Sequence, residues 1–293
     1  MKRSVMPSHP PTRKYLLQQL EEYWDNEYCV IAISNNPRID PSSSPNVLLS
    51  HIRDVSNILS LVIKGNCEKV ALLYNTTGST LYFADYLLKQ MRGIGVTELK
   101  VIVLDFALNL GVLTLLGADN IELTPWSLIG SAVPYIHSSP ISTKDAMIVK
   151  ELVDQIMVSI PKEGVSGKAQ ILHALSVSGM YYEYELSRRS VNYVEKLIVD
   201  LLEGRIPEEK INEILDRLLL KVELREQVMS AKEFKDLVPF AEIVSGELLD
   251  ALKSYRYMLS DLFENENTLV LVESSSRSYT VSLSQGSMPF KLF

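Results

Sequence analysis

Two short runs constrain what this chain can become more than any other feature. Residues 69–74 (KVALLY) and 99–104 (LKVIVL) are apolar at consecutive rather than alternate positions, the pattern of strands covered on both faces. Between them lie the polar turn Asn75, Thr76, Thr77, Gly78, Ser79, a helical stretch over 80–92, and the glycines Gly93 and Gly95 that close it. This is a β-turn-α-β unit. The right-handed crossover rule makes its two strands parallel neighbours, with both strand-to-helix turns at the same carboxyl edge. Ligand and catalytic groups of open parallel sheets collect at that edge, so the turn after residue 74 and the chain after residue 104 are where a site is expected.

The flanking sequence supplies further elements. Tyr15, Leu16, Leu20 and Tyr23 recur at helical spacing over 12–24, and residues 28–33 form a compact β-prone run. A Pro-, Ser- and Asn-rich loop over 35–46 follows, then an amphipathic helix over 47–63 built on Leu48, Ile52, Val55, Leu59 and Val62. After the second apolar strand, residues 105–108 lead to Asn109 and a small helix over 110–116 closed by Gly117, with short strands at 120–123 and 127–129. Beyond residue 143 the pattern turns helical, over 145–159, 168–177, 181–202 and 207–220. Ser230 with Glu233 reads as a capping box, and 268–272 with 279–283 reads as a hairpin. The expected organisation is a disordered lead-in (1–14), an α/β core (15–140), a helical extension completing the fold (141–265), and a C-terminal hairpin and tail (266–293).

Charge narrows the function classes. With 29 Lys and Arg against 36 Asp and Glu, the formal charge is -7, and no basic stripe with interleaved aromatics suggests a nucleic-acid groove. The apolar segment 101–118 approaches the minimum membrane-spanning length. Asp105 and Asn109 interrupt it and Gly111 and Gly117 punctuate it, so a buried strand and helix are expected instead of an integral membrane segment. The start of the chain, Met-Lys-Arg and then Pro7, Pro10 and Pro11, lacks the apolar stretch of a signal peptide. Only two cysteines occur, Cys29 and Cys67, each beside an apolar run. Neither a disulfide framework nor a zinc site is expected from them, and a reducing, cytoplasmic compartment fits. No cofactor or metal is implied.

Three blocks carry a resemblance to a known family. KVALLYNTTGS (69–79) resembles an apolar strand followed by a Thr-Pro-Gly-Gly turn. DFALNLGVLTLLGADNI (105–121) resembles a segment with Ser-Ala-Gly-Thr, apolar residues and then Gly-Ala-Asp. SLIGSAVPY (127–135) resembles Ser, two apolar residues and Gly-Pro-Ile-Asp-Pro. In that order they resemble the serine dehydrogenase proteinase family, which is similar to signal peptide peptidase A and to Clp protease subunits. A fainter likeness runs over 221–243. The resemblance implies a ClpP/crotonase-like repeated ββα core with a helical C-terminal extension, and assembly into rings or stacked trimers.

It also implies a chemistry. A serine at the start of the small-residue helix attacks a peptide carbonyl, amides of a Gly-Gly turn hold the oxyanion, and a Lys or His takes the serine proton. Here the nucleophile position is Asn109, whose carboxamide has no acidic hydroxyl to activate. The Gly-Gly pair is Thr77-Gly78, and a β-branched Thr77 resists an unusual backbone angle. The position matching the downstream His is Arg225, which stays protonated and cannot accept a proton. No catalytic residue is therefore expected, and Thr77, Gly78, Asn109 and Leu110 form the candidate oxyanion or ligand cleft. Asn109 itself is expected foremost to N-cap the following helix.

Two functional readings follow. The first is a catalytically inactive protease-like protein, a homo-oligomeric scaffold or a binder of a peptide or protein ligand. The second is an active hydrolase, either a serine peptidase with a displaced nucleophile or a crotonase-like acyl-binding enzyme. For the displaced nucleophile Ser79, Ser127 and Ser131 are the candidates, with turn formation or capping as their ordinary role. Of the histidines, His137 alone is placed to act as a base, since His9 lies in the lead-in and His51 and His173 in helices. Asp119 is expected to brace the turn between helix and strand. Tyr181-Tyr182 and Arg188-Arg189 mark either a partner surface or a packed helical face, and the leucines of 213–220 are a weak sign of an assembling helix.

Overall fold

The computed structural model describes residues 12–37, 59, 67–78, 81–139, 142–159, 165–222, 227–265 and 268–282. The expected helix over 47–63, apart from Leu59, lies outside the described residues, as do Ser79, Arg225, His9 and His51.

Helix α1 (Arg13–Tyr23) begins at Thr12, whose side chain accepts from the Tyr15 amide, and passes through a turn at Asp25 and Asn26, both with positive φ, into β1 (Cys29–Asn35). Strands β2 (Lys69–Thr76) and β3 (Glu98–Ala107) flank α2 (Leu81–Gly93). A 3₁₀ turn (Asn109–Gly111) and α3 (Val112–Leu116) follow, then β4 (Asn120–Leu123), β5 (Leu128–Ile129) and a separate hairpin of β6 (Tyr135–Ser139) and β7 (Ser142–Asp145). The helical stretch contains α4 (Ala146–Ser159), α5 (Val165–Val177), α6 (Met180–Leu202) and α7 (Glu208–Leu215), the last continuing in a π turn (Asp216–Leu220). The chain returns to the sheet through β8 (Met229–Ser230), α8 (Ala231–Leu237), β9 (Ala241–Ile243), α9 (Gly246–Asn265), β10 (Thr268–Ser274) and β11 (Ser278–Ser282).

The sheet runs β11-β10-β1-β2-β3-β4-β9. From β1 to β9 neighbours are parallel, whereas β10 is antiparallel to β1 and to β11. The protein is thus α/β with one mixed central sheet and helices on both faces, and the expected hairpin docks beside β1. Apolar continuity in β1, β2 and β3 has a direct cause. Ile31, Ile33, Leu72, Tyr74, Val101 and Val103 pack in one layer with α2, α3 and α6. Val30, Ala32, Ala71, Leu73, Ile102 and Leu104 pack in the opposite layer with α1 and α9. Each fully buried large aliphatic contributes on the order of 1.5–3 kcal/mol, so a polar residue on either face of these strands would be costly. The segment 101–118 accordingly enters the core as strand and helix, and no helix among the described residues is long and apolar enough to cross a membrane.

Three expectations are corrected. Cys29 and Cys67 are bonded to each other, with their Cα atoms 6.1 Å apart. Cys67 lies 38 positions after Cys29 in sequence, but Cys29 sits opposite Val70 in the parallel ladder, so the residue entering β2 arrives beside the start of β1. The leucines of 213–220 belong to the core, since Leu218 and Leu219 are fully buried and only Leu220 is exposed. Asn109 is not a helix N-cap: Leu108 holds that place.

A buried ionic cluster joins the second layer. Glu273 of β10 is 1% exposed, takes a 3.1 Å ion pair from Arg13, and accepts from Tyr255 Oη at 2.8 Å and Ser278 Oγ at 3.2 Å. Burial above all, and then the charge of Glu273, pushes the Tyr255 phenol well above its ordinary range.

Candidate functional site

The carboxyl edge of β1, β2 and β3 carries four asparagines where apolar strand gives way to turn. Asn35, Asn36, Asn75 and Asn109 are 1%, 6%, 2% and 7% exposed, and a buried carboxamide is tolerated only when hydrogen-bonded. Asn75 Oδ1 accepts from the Phe106 amide at 3.2 Å, bridging β2 to β3 across a register shift. Asn36 Nδ2 donates to the carbonyls of Phe263 and Thr268, pinning the end of β1 to the α9–β10 connection. The expected loop thus begins with two clamped residues.

Asn35 and Asn109 converge on Thr77. The Thr77 amide donates to Asn35 Oδ1 at 3.0 Å, and Asn35 Nδ2 donates to Thr77 Oγ1 at 3.0 Å. From the other side, Asn109 Nδ2 donates to the Thr77 carbonyl at 2.8 Å. The next amide, Gly78 N, donates to Thr76 Oγ1 at 3.2 Å, while that hydroxyl donates to Gly78 O at 2.7 Å. Both amides of the Thr77-Gly78 turn therefore point into the protein's own hydrogen bonds.

Asn109 has φ 52°, a left-handed conformation that asparagine tolerates better than β-branched or bulky residues. This explains the failed cap: an N-cap needs extended backbone, as Leu108 has with φ -98° and ψ 159°. The close approach of β5 fixes the turn. A Cβ on Gly130 would lie 2.9 Å from both Asn109 N and Leu108 Cα, and one on Gly111 would lie 2.6 Å from Thr76 Cγ2. Behind Gly130, the Ala132 amide donates to Leu218 O at 2.7 Å, a carbonyl in the π turn. Thr77, Gly78, Asn109 and Leu110 are thus brought together, and all four are buried.

The remaining candidates have structural partners or are not placed. Ser127 Oγ donates to Val103 O at 2.9 Å and shares a hydrogen bond with Thr124 Oγ1. Ser131 is 3% exposed. His137 lies on β6 and His173 is exposed on α5. Asp119 accepts from the Leu99 amide at 2.6 Å and pairs with Arg92 at 2.7 Å, bracing the turn as its position suggested. Arg205 reaches the same turn, donating to Leu116 O at 2.7 Å and Ala118 O at 2.5 Å while stacking on Phe240. Tyr181 and Tyr182 are exposed, and Arg188 and Arg189 pair with Glu185. The Ser230–Glu233 capping box is present.

Sequence reasoning missed Asn35, Asn36 and Gly130. An Asn-Asn-Pro sequence closing an apolar strand was the available signal, but it reads equally as loop. A pocket of about 60 Å³ opens at the same edge on the α9 side, lined by Asn36, Asn75, Asp105, Phe106, Phe263 and Glu264 among others. Among the described residues no group of three or more His, Cys, Asp or Glu could hold a metal ion.

No protein-family model and no curated protein sequence matches the chain. Among solved structures, a serine-to-alanine mutant of the 1510-N membrane-bound stomatin-specific protease is similar with TM-score 0.43 and 13% identity, over 70% of this chain and 77% of that one. A lysine-to-alanine mutant of the same protease, in complex with a substrate peptide, is similar with TM-score 0.44 and 12% identity, over 88% of this chain and 87% of that one. Likeness at this level decides neither family nor function.

Proposed function

We propose that the chain is a catalytically inactive ClpP/crotonase-like protein, related to the serine dehydrogenase proteinase family, that acts as a homo-oligomeric scaffold or a peptide-binding protein. One observation carries the reading. The three sequence blocks that resemble the family meet at one point, where Asn109 Nδ2 holds Thr77 O and Gly130 lies against the Asn109 backbone. The resemblance assigns the nucleophile to position 109 and the oxyanion amides to 77 and 78. At 109 stands a carboxamide, which cannot form an acyl-enzyme. Both amides donate inward to Asn35 and Thr76, which also counts against a crotonase-like enzyme that depends on free amide donors.

Exposed apolar side chains on α4, α5 and α6, among them Ile148, Val158, Val177 and Tyr182, supply surface that an assembly would cover. A peptide ligand at Thr77, Gly78, Asn109 and Leu110 has to part the Asn109–Thr77 contact. A cytoplasmic setting remains part of the proposal, with the Cys29–Cys67 bond as the feature that weighs against it.

The test combines three measurements on the full chain. A fluorophosphonate probe should label no serine, light scattering should give a mass above that of one chain, and denaturing mass spectrometry should identify any co-purified peptide. Stoichiometric labelling of one serine would replace this reading with that of an active peptidase using a displaced nucleophile.

A further inference from the structure

We propose that Cys29 and Cys67 are a reversible redox couple that sets the stability of the chain without remodelling its native sheet. They are the only two cysteines of the 293 residues, they are bonded to each other, and both residues are half-buried rather than sealed in the core. The site stands at the amino edge of the sheet, opposite the edge that carries Asn109, and the inference is independent of the chemistry assigned there.

The bond is not what holds β1 in place. Beyond Cys29, β1 pairs with β2 from Val30 to Ser34 and with β10 from Ile31 to Asn35. Val30 to Ile33 are fully buried, and Asn35 and Asn36 clamp the far end. Breaking the bond therefore leaves the native ladder and both core layers intact. What it changes is the unfolded chain, in which a bond across 38 residues removes conformational freedom.

The chemistry is thiol–disulfide exchange with a small thiol of the glutathione or dithiothreitol type. The thiolate of the first reductant thiol attacks one of the two cysteine sulfurs. The Cys29–Cys67 bond breaks, a mixed disulfide forms, and the other cysteine leaves as thiolate and takes a proton. A second reductant thiolate then attacks the mixed disulfide, releasing the remaining cysteine thiol and the oxidised reductant. The chain gains two electrons and two protons. A small-molecule disulfide such as glutathione disulfide reverses the exchange.

The experiment uses the full chain purified without reductant. Alkylation under denaturing conditions, read by mass, should find no free thiol before dithiothreitol and two after it. The circular-dichroism spectrum should be the same in both states, with a melting temperature lower by roughly 5–10 °C after reduction. The double variant Cys29→Ser, Cys67→Ser should melt with the reduced protein and ignore dithiothreitol. Two alkylatable thiols that glutathione disulfide cannot oxidise would overturn the proposal, as would equal melting temperatures. Loss of the native spectrum on reduction would also overturn it, because the bond would then hold the fold rather than tune its stability.

Discussion

The side-chain nitrogen of Asn109 donates to the main-chain oxygen of Thr77 at 2.8 Å, across 32 residues of sequence. This contact joins the turn after β2 to the turn after β3, the two turns on which the proposed function rests. Asn109 makes it with φ 52°, so the residue combines a left-handed backbone with a buried donor.

Those two contributions separate by substitution. Asn109→Gly keeps the backbone free to adopt a positive φ but deletes the hydrogen bond, for an expected loss of about 1 kcal/mol. Asn109→Ala deletes the bond and adds the left-handed penalty of a Cβ residue, for about 2–3 kcal/mol in total. Urea unfolding of both variants should rank them in that order. Equal losses would mean that the backbone at 109 relaxes freely.

Gly130 is required by proximity, since its φ is not positive. Gly130→Ala drives a methyl group to 2.9 Å from two backbone atoms of residues 108 and 109, and backbone cannot swing aside as a side chain can. A destabilisation of about 2–3 kcal/mol is expected. The three atoms nearest a Cβ on Gly117 all belong to the Leu88 side chain, so Gly117→Ala should cost less. Comparing the two in thermal melts separates backbone from side-chain crowding.

Tyr255 ties stability to high pH. Its folded phenol is held above the ordinary value, first by burial and then by Glu273, so the protonated form is favoured in the folded state. That contribution is fully present below the unfolded tyrosine value of about 10. It drains away above pH 10, as unfolded chains release a proton that folded ones retain, until the folded phenol itself titrates. Tyr28, raised likewise by burial and by Glu98, adds to the effect. Tyr255→Phe should be less stable at neutral pH by about 1–2 kcal/mol, having lost its bond to Glu273. It should also show a flatter decline from pH 10 to 11 by chemical unfolding.

The parallel core was legible in the sequence because KVALLY and LKVIVL bury both faces, a demand written into neighbouring residues. The hairpin of β10 and β11 was legible for a similar local reason, but its place beside β1 was not. That pairing sets Ile31 against Ser274, and nothing local at either position announces it. The Cys29–Cys67 bond was hidden by the same separation. At the edge of the sheet, position 109 stood out from the resemblance, whereas its backbone angle depends on Gly130 pressing from just beyond β5. Asn35 and Asn36 read as loop formers because their partners, Thr77, Phe263 and Thr268, are supplied by distant elements.

On the proposed reading, position 109 cannot launch acyl transfer, and a hydroxyl restored there is insufficient. The most direct measurement is hydrolysis of fluorogenic peptide and ester substrates across pH 5–10 by the wild-type chain and by Asn109→Ser. No turnover above background is expected for either protein, since the Thr77 and Gly78 amides still donate to Asn35 and Thr76. Saturable turnover by the wild-type chain, or its appearance in Asn109→Ser alone, would contradict it.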